Sequence, residues 1–338
     1  MINLISDTVT QPSQDMRHTM LSAEVGDDVF ASDPTVNKLQ AQAAKMFGME
    51  AALYCPSGTM TNQIAIKCHT QPLDEMICDH YSHVYQYETG GYAFNSGIAV
   101  NLLKGTNGKI TASQIKAAIK QDYDWLPKSS LVVLENSCNK GGGSYYTLDE
   151  IAPITQLCQD KGLSLHLDGA RLFNVLVETK ESTEDVGRHF DSISICLSKG
   201  LGAPVGSLLI GSKSMIKQAR RYRKVMGGGM RQAGILAAAG IYALEHNIER
   251  LAEDNARAKE LGKCLSKAAW VSTVEPVGTN IVIFHLAEMP AAVVLSKLED
   301  KGILATAFGP QTIRLVTHMD YSSEDHKHVI NTLENLNF

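Results

Sequence analysis

The chain has little of what several protein classes require. Its 7 cysteines are scattered at positions 55, 68, 78, 138, 158, 196 and 264, and no two form a Cys-x-x-Cys pair. The odd count and this spacing argue against a disulfide framework or a zinc ribbon, and point to a reducing, cytoplasmic compartment. No apolar stretch is long enough to cross a bilayer. Met1-Ile2-Asn3-Leu4-Ile5-Ser6-Asp7 has neither the basic start nor the long apolar core of a signal peptide. Basic runs are equally scarce. The longest, Arg220-Arg221-Tyr222-Arg223-Lys224, reads as one helix face in a chain of net charge −5, which argues against a nucleic-acid partner. Nucleotide signatures are missing too: Gly200, Gly202 and Gly206 do not fit Gly-x-Gly-x-x-Gly, and no Walker A string occurs.

What is present suffices for one large core and a smaller second domain: 338 residues, 44% of them hydrophobic. Residues 1–33 read as a mostly irregular, acidic N-terminal arm that either frays or lies across a partner subunit. Asp33-Pro34 starts a helix that should stop at Gly48. Short apolar runs near 51–54, 75–78, 100–103, 131–134, 163–167, 193–196 and 207–210 alternate with helical stretches. Thr147-Leu148-Asp149-Glu150 is a capping box that opens one of them. This alternation predicts an α/β fold with a mostly parallel sheet and helices on both faces. The large domain should span 34–250. A smaller C-terminal α/β domain, including part of the connecting helix, should fill 251–338, with strands near 282–284, 303–305 and 312–316.

The chemistry centres on Leu197-Ser198-Lys199-Gly200-Leu201-Gly202-Ala203-Pro204-Val205-Gly206, a small-residue loop between two strands. Lys199 there is either an exposed loop lysine or a carbonyl nucleophile whose ammonium form is disfavoured by desolvation. Gly58 and Thr59 open a helix after a strand, so they are either an ordinary capped turn or a phosphate-binding site. His80 and His83 either bind a metal, for which nearby third ligands are missing, or place a ring against a flat cofactor. Asp168 ends a strand 31 positions before Lys199 and is followed by Arg171. Arg231, after a glycine run, should lie in the first turn of a helix, as a phosphate contact or a solvated side chain. Arg314, on a strand, is a rim salt bridge or a carboxylate clamp. A carboxylate and a Schiff-base lysine, with backbone N–H groups for a phosphate, are the parts of a pyridoxal phosphate site.

Several strings together resemble the low-specificity L-threonine aldolase family of fold type I pyridoxal 5'-phosphate enzymes. They include Ser6-Asp7-Thr8-Val9-Thr10, Gly26-Asp27-Asp28-Val29, Pro56-Ser57-Gly58-Thr59-Met60, Ser82-His83, Leu167-Asp168-Gly169-Ala170-Arg171, Ser198-Lys199-Gly200, Gly229-Met230-Arg231-Gln232 and Arg314-Leu315-Val316. The resemblance implies cleavage of L-threonine, L-allo-threonine or another L-β-hydroxy-α-amino acid to glycine and an aldehyde. Lys199 would hold the cofactor aldehyde as an imine, and Asp168 would pair with the pyridine nitrogen. Arg171 would sit near the ring 3-oxygen and the substrate carboxylate. His83 would stack on the ring and move a proton. Gly58, Thr59, Ser198 and Arg231 would hold the phosphate, Arg231 from a neighbouring subunit. Ser6 and Arg314 would bind the substrate carboxylate. Trp125 stands near where relatives often carry histidine and would line the substrate pocket, while Cys138 departs from a second histidine. The family also implies a homo-oligomer, a dimer at least and usually a tetramer. The rivals are a phenylserine-type aldolase, a β-eliminating lyase or a racemase on the same cofactor; further off stand a nucleotide-dependent oxidoreductase and a non-catalytic binding module.

Overall fold

A computed structural model describes residues 1–336. The apolar runs of the first two-thirds become one seven-stranded sheet in the spatial order Ala51–Cys55, Ser207–Gly211, Ser192–Cys196, Ser164–Gly169, Lys128–Glu135, Asp74–Asp79, Ala99–Leu103. Only Ser207–Gly211 runs against its neighbours, pairing antiparallel on both sides; the other pairings are parallel. The central strands are apolar at successive positions because both faces are covered. Leu53, Cys55 and Leu209 face helices Gly58–His69 and Lys213–Val225. Tyr54, Leu167, Ile193 and Leu208 face the other layer, which includes Pro34–Met46, Leu148–Lys161 and Gly234–His246.

The punctuation behaves as the residues predict. Asp33 accepts from the Val36 amide with Pro34 in the first turn, and Thr147 and Glu150 form the capping box. Gly48 and Gly162 end their helices with φ of 62° and 66°. Arg231 departs from its expected place. The helix after the glycine run starts at Gly234, so Arg231 lies before it.

The C-terminal part carries an antiparallel sheet in the order Thr306–Gly309, Thr312–Val316, Ile281–Leu286, Val271–Val274, and a core that includes Leu261, Leu265, Phe284, Leu315 and Val329. Two of these strands, Thr306–Gly309 and Val271–Val274, are absent from the sequence expectation. Their side chains are largely half-exposed, so no apolar run announces them.

The arm also differs from expectation. Ile2 and Asn3 pair in parallel with Ile303 and Leu304, and Leu4 is fully buried in the C-terminal core. Gln14–Leu21 is a helix, capped by Ser13 and anchored by buried Met16. The apolar residues at 2 and 4 dock the arm on its own chain, a signal outweighed in the sequence by the polar residues that follow.

Candidate active site

The parallel strands bring their carboxyl ends to one edge, where ligands sit in such sheets. Glu135 lies opposite Asp168, and Asp168 opposite Ser194. Ser192–Cys196 leads into the Lys199 loop, Ala51–Cys55 into Gly58 and Thr59, and Asp74–Asp79 into the short helix His83–Gln86.

Asp168 is buried, and its Oδ2 accepts from Asn62 Nδ2 at 2.8 Å. Asn62 Nδ2 also donates to Glu88 Oε1 at 2.9 Å, and the same oxygen meets His83 Nδ1 at 2.9 Å. Ligand-capable atoms of His83, Glu88 and Asp168 thus lie within 4.8 Å of one another. Burial disfavours a charged His83, but the Glu88 hydrogen bond and the nearby carboxylates outweigh it and raise its pKa. The backbone N–H of His83 donates to Glu135 Oε2 at 2.8 Å. Burial, reinforced by the charge of Asp168, pushes Glu135 up to about 7.

Arg171 has a partner within the chain. Its Nε and Nη2 each donate to Asp7 at 2.7 Å, a buried bidentate pair. Burial alone would raise the Asp7 pKa, yet the charge and hydrogen bonds of Arg171, with Lys199 and Asn280, hold it well below the usual range. Asp7 therefore stands between the arm and the Lys199 loop. Ser6 is also engaged: its Oγ accepts from the Thr8 amide at 3.2 Å and caps the turn that carries Asp7. Arg314 is different. Its Nη1 reaches Asn139 Oδ1 at 2.7 Å and its Nη2 the Ile5 carbonyl at 3.0 Å. Its Nε is buried without a partner, and it forms no ion pair among the described residues. Burial and the neighbouring Arg171 lower it to about 10. It is a guanidinium without a carboxylate.

Gly58 and Thr59 occupy the first turn of Gly58–His69, with Ser57 accepting from the Met60 amide. Among the described residues their own amides donate to nothing. A Cβ on Gly58 would come within 2.5 Å of Cys196 Sγ, so a larger residue there would have to displace the Cys196 side chain. Ser198 and Lys199 are half-buried, and no hydrogen bond or ion pair holds the Lys199 amine among the described residues.

Two expected residues are not brought to this edge within one chain. Trp125 is 73% exposed and stacks on Tyr123, three residues before the opposite, amino end of Lys128–Glu135. Arg231 is exposed and pairs with Asp27 at 2.9 Å beside exposed Phe30. The sequence reading missed Asp7, Asn62, Glu88 and Glu135 as site residues. Glu135 ends its apolar run just as Asp168 does, so the same rule applied to both would have found it. Asn62 sits inside a helix, in the polar run Thr61-Asn62-Gln63, which from sequence reads as a solvated face although all three are buried.

The beta-eliminating lyase family model matches residues 3–289. The chain is 40% identical over 325 residues to the low specificity L-threonine aldolase of Escherichia coli K12, covering 96% of each. It is 37% identical over 332 residues to low-specificity L-threonine aldolase 1 of Arabidopsis thaliana, covering 96% of this chain and 93% of that one. The solved threonine aldolase of Leishmania major superimposes with a TM-score of 0.86 at 20% identity over 99% of both chains, a likeness of fold. The fold is that of the fold type I pyridoxal phosphate enzymes, and the chain belongs to the beta-eliminating lyase family, alongside the low-specificity L-threonine aldolases.

Proposed function

We propose that this chain is a pyridoxal 5'-phosphate-dependent aldehyde-lyase that cleaves an L-β-hydroxy-α-amino acid, threonine or allo-threonine, to glycine and an aldehyde. One observation carries the reading. A buried carboxylate, Asp168, sits beside the strand that leads to Lys199, whose amine has no partner among the described residues, at the sheet edge where the amides of Gly58 and Thr59 are likewise unengaged among the described residues. This donor set fits the cofactor: an acid for a pyridinium, an amine for an aldehyde, N–H groups for a phosphate. When bound, pyridoxal phosphate supplies an electron sink for the breaking Cα–Cβ bond.

The protein's own residues do the rest. Arg314, which lacks a carboxylate of its own, takes the substrate's, and that clamp fixes which bond at Cα stands across the ring. Arg171 keeps Nη1 for the same end of the site while Asp7 holds its other nitrogens. Ser6 supports this by capping the Asp7 turn. His83, held through Nδ1 by Glu88, has Nε2 left to take the β-hydroxyl proton. Ser198 lies next to Lys199 as a further phosphate donor. Arg231 and Trp125 join the site from a second copy of the chain, which makes the active form an oligomer, a dimer at least and a tetramer by family resemblance. A cytoplasmic enzyme fits the seven free thiols and the absence, among the described residues, of a helix long and apolar enough to cross a membrane.

The test is a panel of threonine, allo-threonine, phenylserine and serine with added pyridoxal phosphate. Glycine and aldehyde are the expected products. A keto acid and ammonia would instead make the chain a β-eliminating lyase. Light scattering should show no monomer.

A further inference from the structure

Behind Asp168 runs a polar chain that none of the roles above uses. His166 lies two residues before Asp168 on the same strand, and Ser192 is its register partner on the next. Asn62 and His69 belong to Gly58–His69, which crosses that face of the sheet. Asn62, His166 and Ser192 are buried. His69 is half-buried and lines a cavity of about 340 Å³ with Ser164, Asp191 and Gln218. The contacts are continuous. His69 Nε2 lies 2.8 Å from Ser192 Oγ, and Ser192 Oγ lies 2.8 Å from His166 Nδ1. His166 Nε2 lies 3.1 Å from Asn62 Oδ1, and Asn62 Nδ2 lies 2.8 Å from Asp168 Oδ2.

The inventory of donors fixes the direction of every link. Asn62 Nδ2 faces two carboxylates, Asp168 and Glu88, and uses one hydrogen on each. An amide turned the other way would set its oxygen against both. Asn62 Oδ1 therefore faces His166, and His166 Nε2 carries a proton. Burial, with His69 nearby, drops His166 to about 3, so the ring is neutral and has a single proton. Its Nδ1 must accept, and the donor is the Ser192 hydroxyl. That hydroxyl has spent its one hydrogen, so His69 Nε2–H must donate to Ser192 Oγ. From the cavity to the site, all the hydrogens point the same way.

We propose that His69, Ser192, His166 and Asn62 are positioning residues for the reaction, a one-way hydrogen-bond chain that orients the Asp168 carboxylate towards the cofactor's ring nitrogen. The proposal rests on the reading of the site as a pyridoxal phosphate site. Reversing any link leaves two hydrogens or two lone pairs face to face, so the chain supports from the far side of the sheet the Asn62 orientation that Asp168 and Glu88 set.

The test begins with cofactor-free wild-type protein labelled with ¹⁵N-histidine. NMR should show His166 as the Nε2–H tautomer with a slowly exchanging ring proton; the Nδ1–H tautomer overturns the proposal. His69→Leu removes the outermost donor, whereas His69→Gln keeps an N–H. Having lost the donor to Ser192 Oγ, the leucine variant should keep the Nε2–H tautomer that Asn62 sets and exchange the His166 ring proton faster than wild type. It should also weaken pyridoxal phosphate binding and lower kcat by roughly two- to tenfold, the worth of one net hydrogen bond, with substrate KM unchanged. The glutamine variant should rescue both effects. Wild-type values in the leucine variant, or equal impairment in the two, overturn the relay. A wild-type protein that binds no pyridoxal phosphate sinks the functional reading and with it the cofactor part of this proposal; the tautomer measured in the same sample tells that failure apart from a failure of the hydrogen-bond chain.

Discussion

The two sides of Asp168 are built on opposite terms. Behind it, Asn62, Gln63, Glu88 and His166 saturate one another with hydrogen bonds. In front of it, Lys199 has no hydrogen-bond partner among the described residues, and Arg314 Nε and Asn280 Oδ1 are buried with none. An unpaired polar group buried in protein costs stability, so such groups persist where a ligand satisfies them. The saturated side is a scaffold and the unsatisfied side is where the ligands go.

Changes to the unsatisfied side should abolish or weaken chemistry and spare the fold. The largest effect is expected from Lys199→Ala. It should lose both the visible absorbance that appears on adding pyridoxal phosphate and glycine release, with an unchanged unfolding midpoint. A retained spectrum with full glycine release would remove the lysine from the mechanism.

Asp7→Asn should act on the boundary between the two sides. It leaves a buried guanidinium unpaired, a loss of about 3–5 kcal/mol that urea unfolding would read. Because the Asp7 pKa is depressed, its contribution is present above the ordinary value of 3.8 and fades as pH falls below it. The asparagine variant should accordingly lack that part of the wild-type acid-side loss.

Arg314→Ala should cost about 1.5–3 kcal/mol of charge-assisted binding, roughly 10- to 100-fold in kcat/KM and mostly in KM. Arg314→Lys should fall between, since an ammonium lacks the fork. A change confined to kcat would move Arg314 out of carboxylate binding.

The smallest effect sharpens the comparison from the saturated side. Glu88 raises the His83 pKa through its hydrogen bond. A base must be deprotonated, so activity should fall as pH drops through that raised value. Glu88→Gln should move this acidic limb to lower pH; an unmoved limb would separate His83 from the proton transfer.

The scaffold was largely legible. Alternating apolar runs, Asp33-Pro34, Gly48, the Thr147–Glu150 box and Gly162 located the sheet and its helices because each signal is local. Asp168 and Lys199 were legible because strand ends next to small-residue loops announce a site. Asp7 was not, since its meaning lies in Arg171, 164 positions away. Nor were Asn62, His166 and Ser192, polar residues inside regular elements whose partners lie on other elements. The half-exposed strands Val271–Val274 and Thr306–Gly309 lack the apolar contrast that pattern reading needs.

The docked arm has a consequence for biosynthesis. Ile5, which receives a hydrogen from Arg314, is separated from it by 309 positions. On the ribosome, Ile5 must wait for those 309 further positions before its counterpart emerges. Asp7, meanwhile, can meet Arg171 much sooner. Nascent molecules would therefore gain the ion pair well before the anchoring strand.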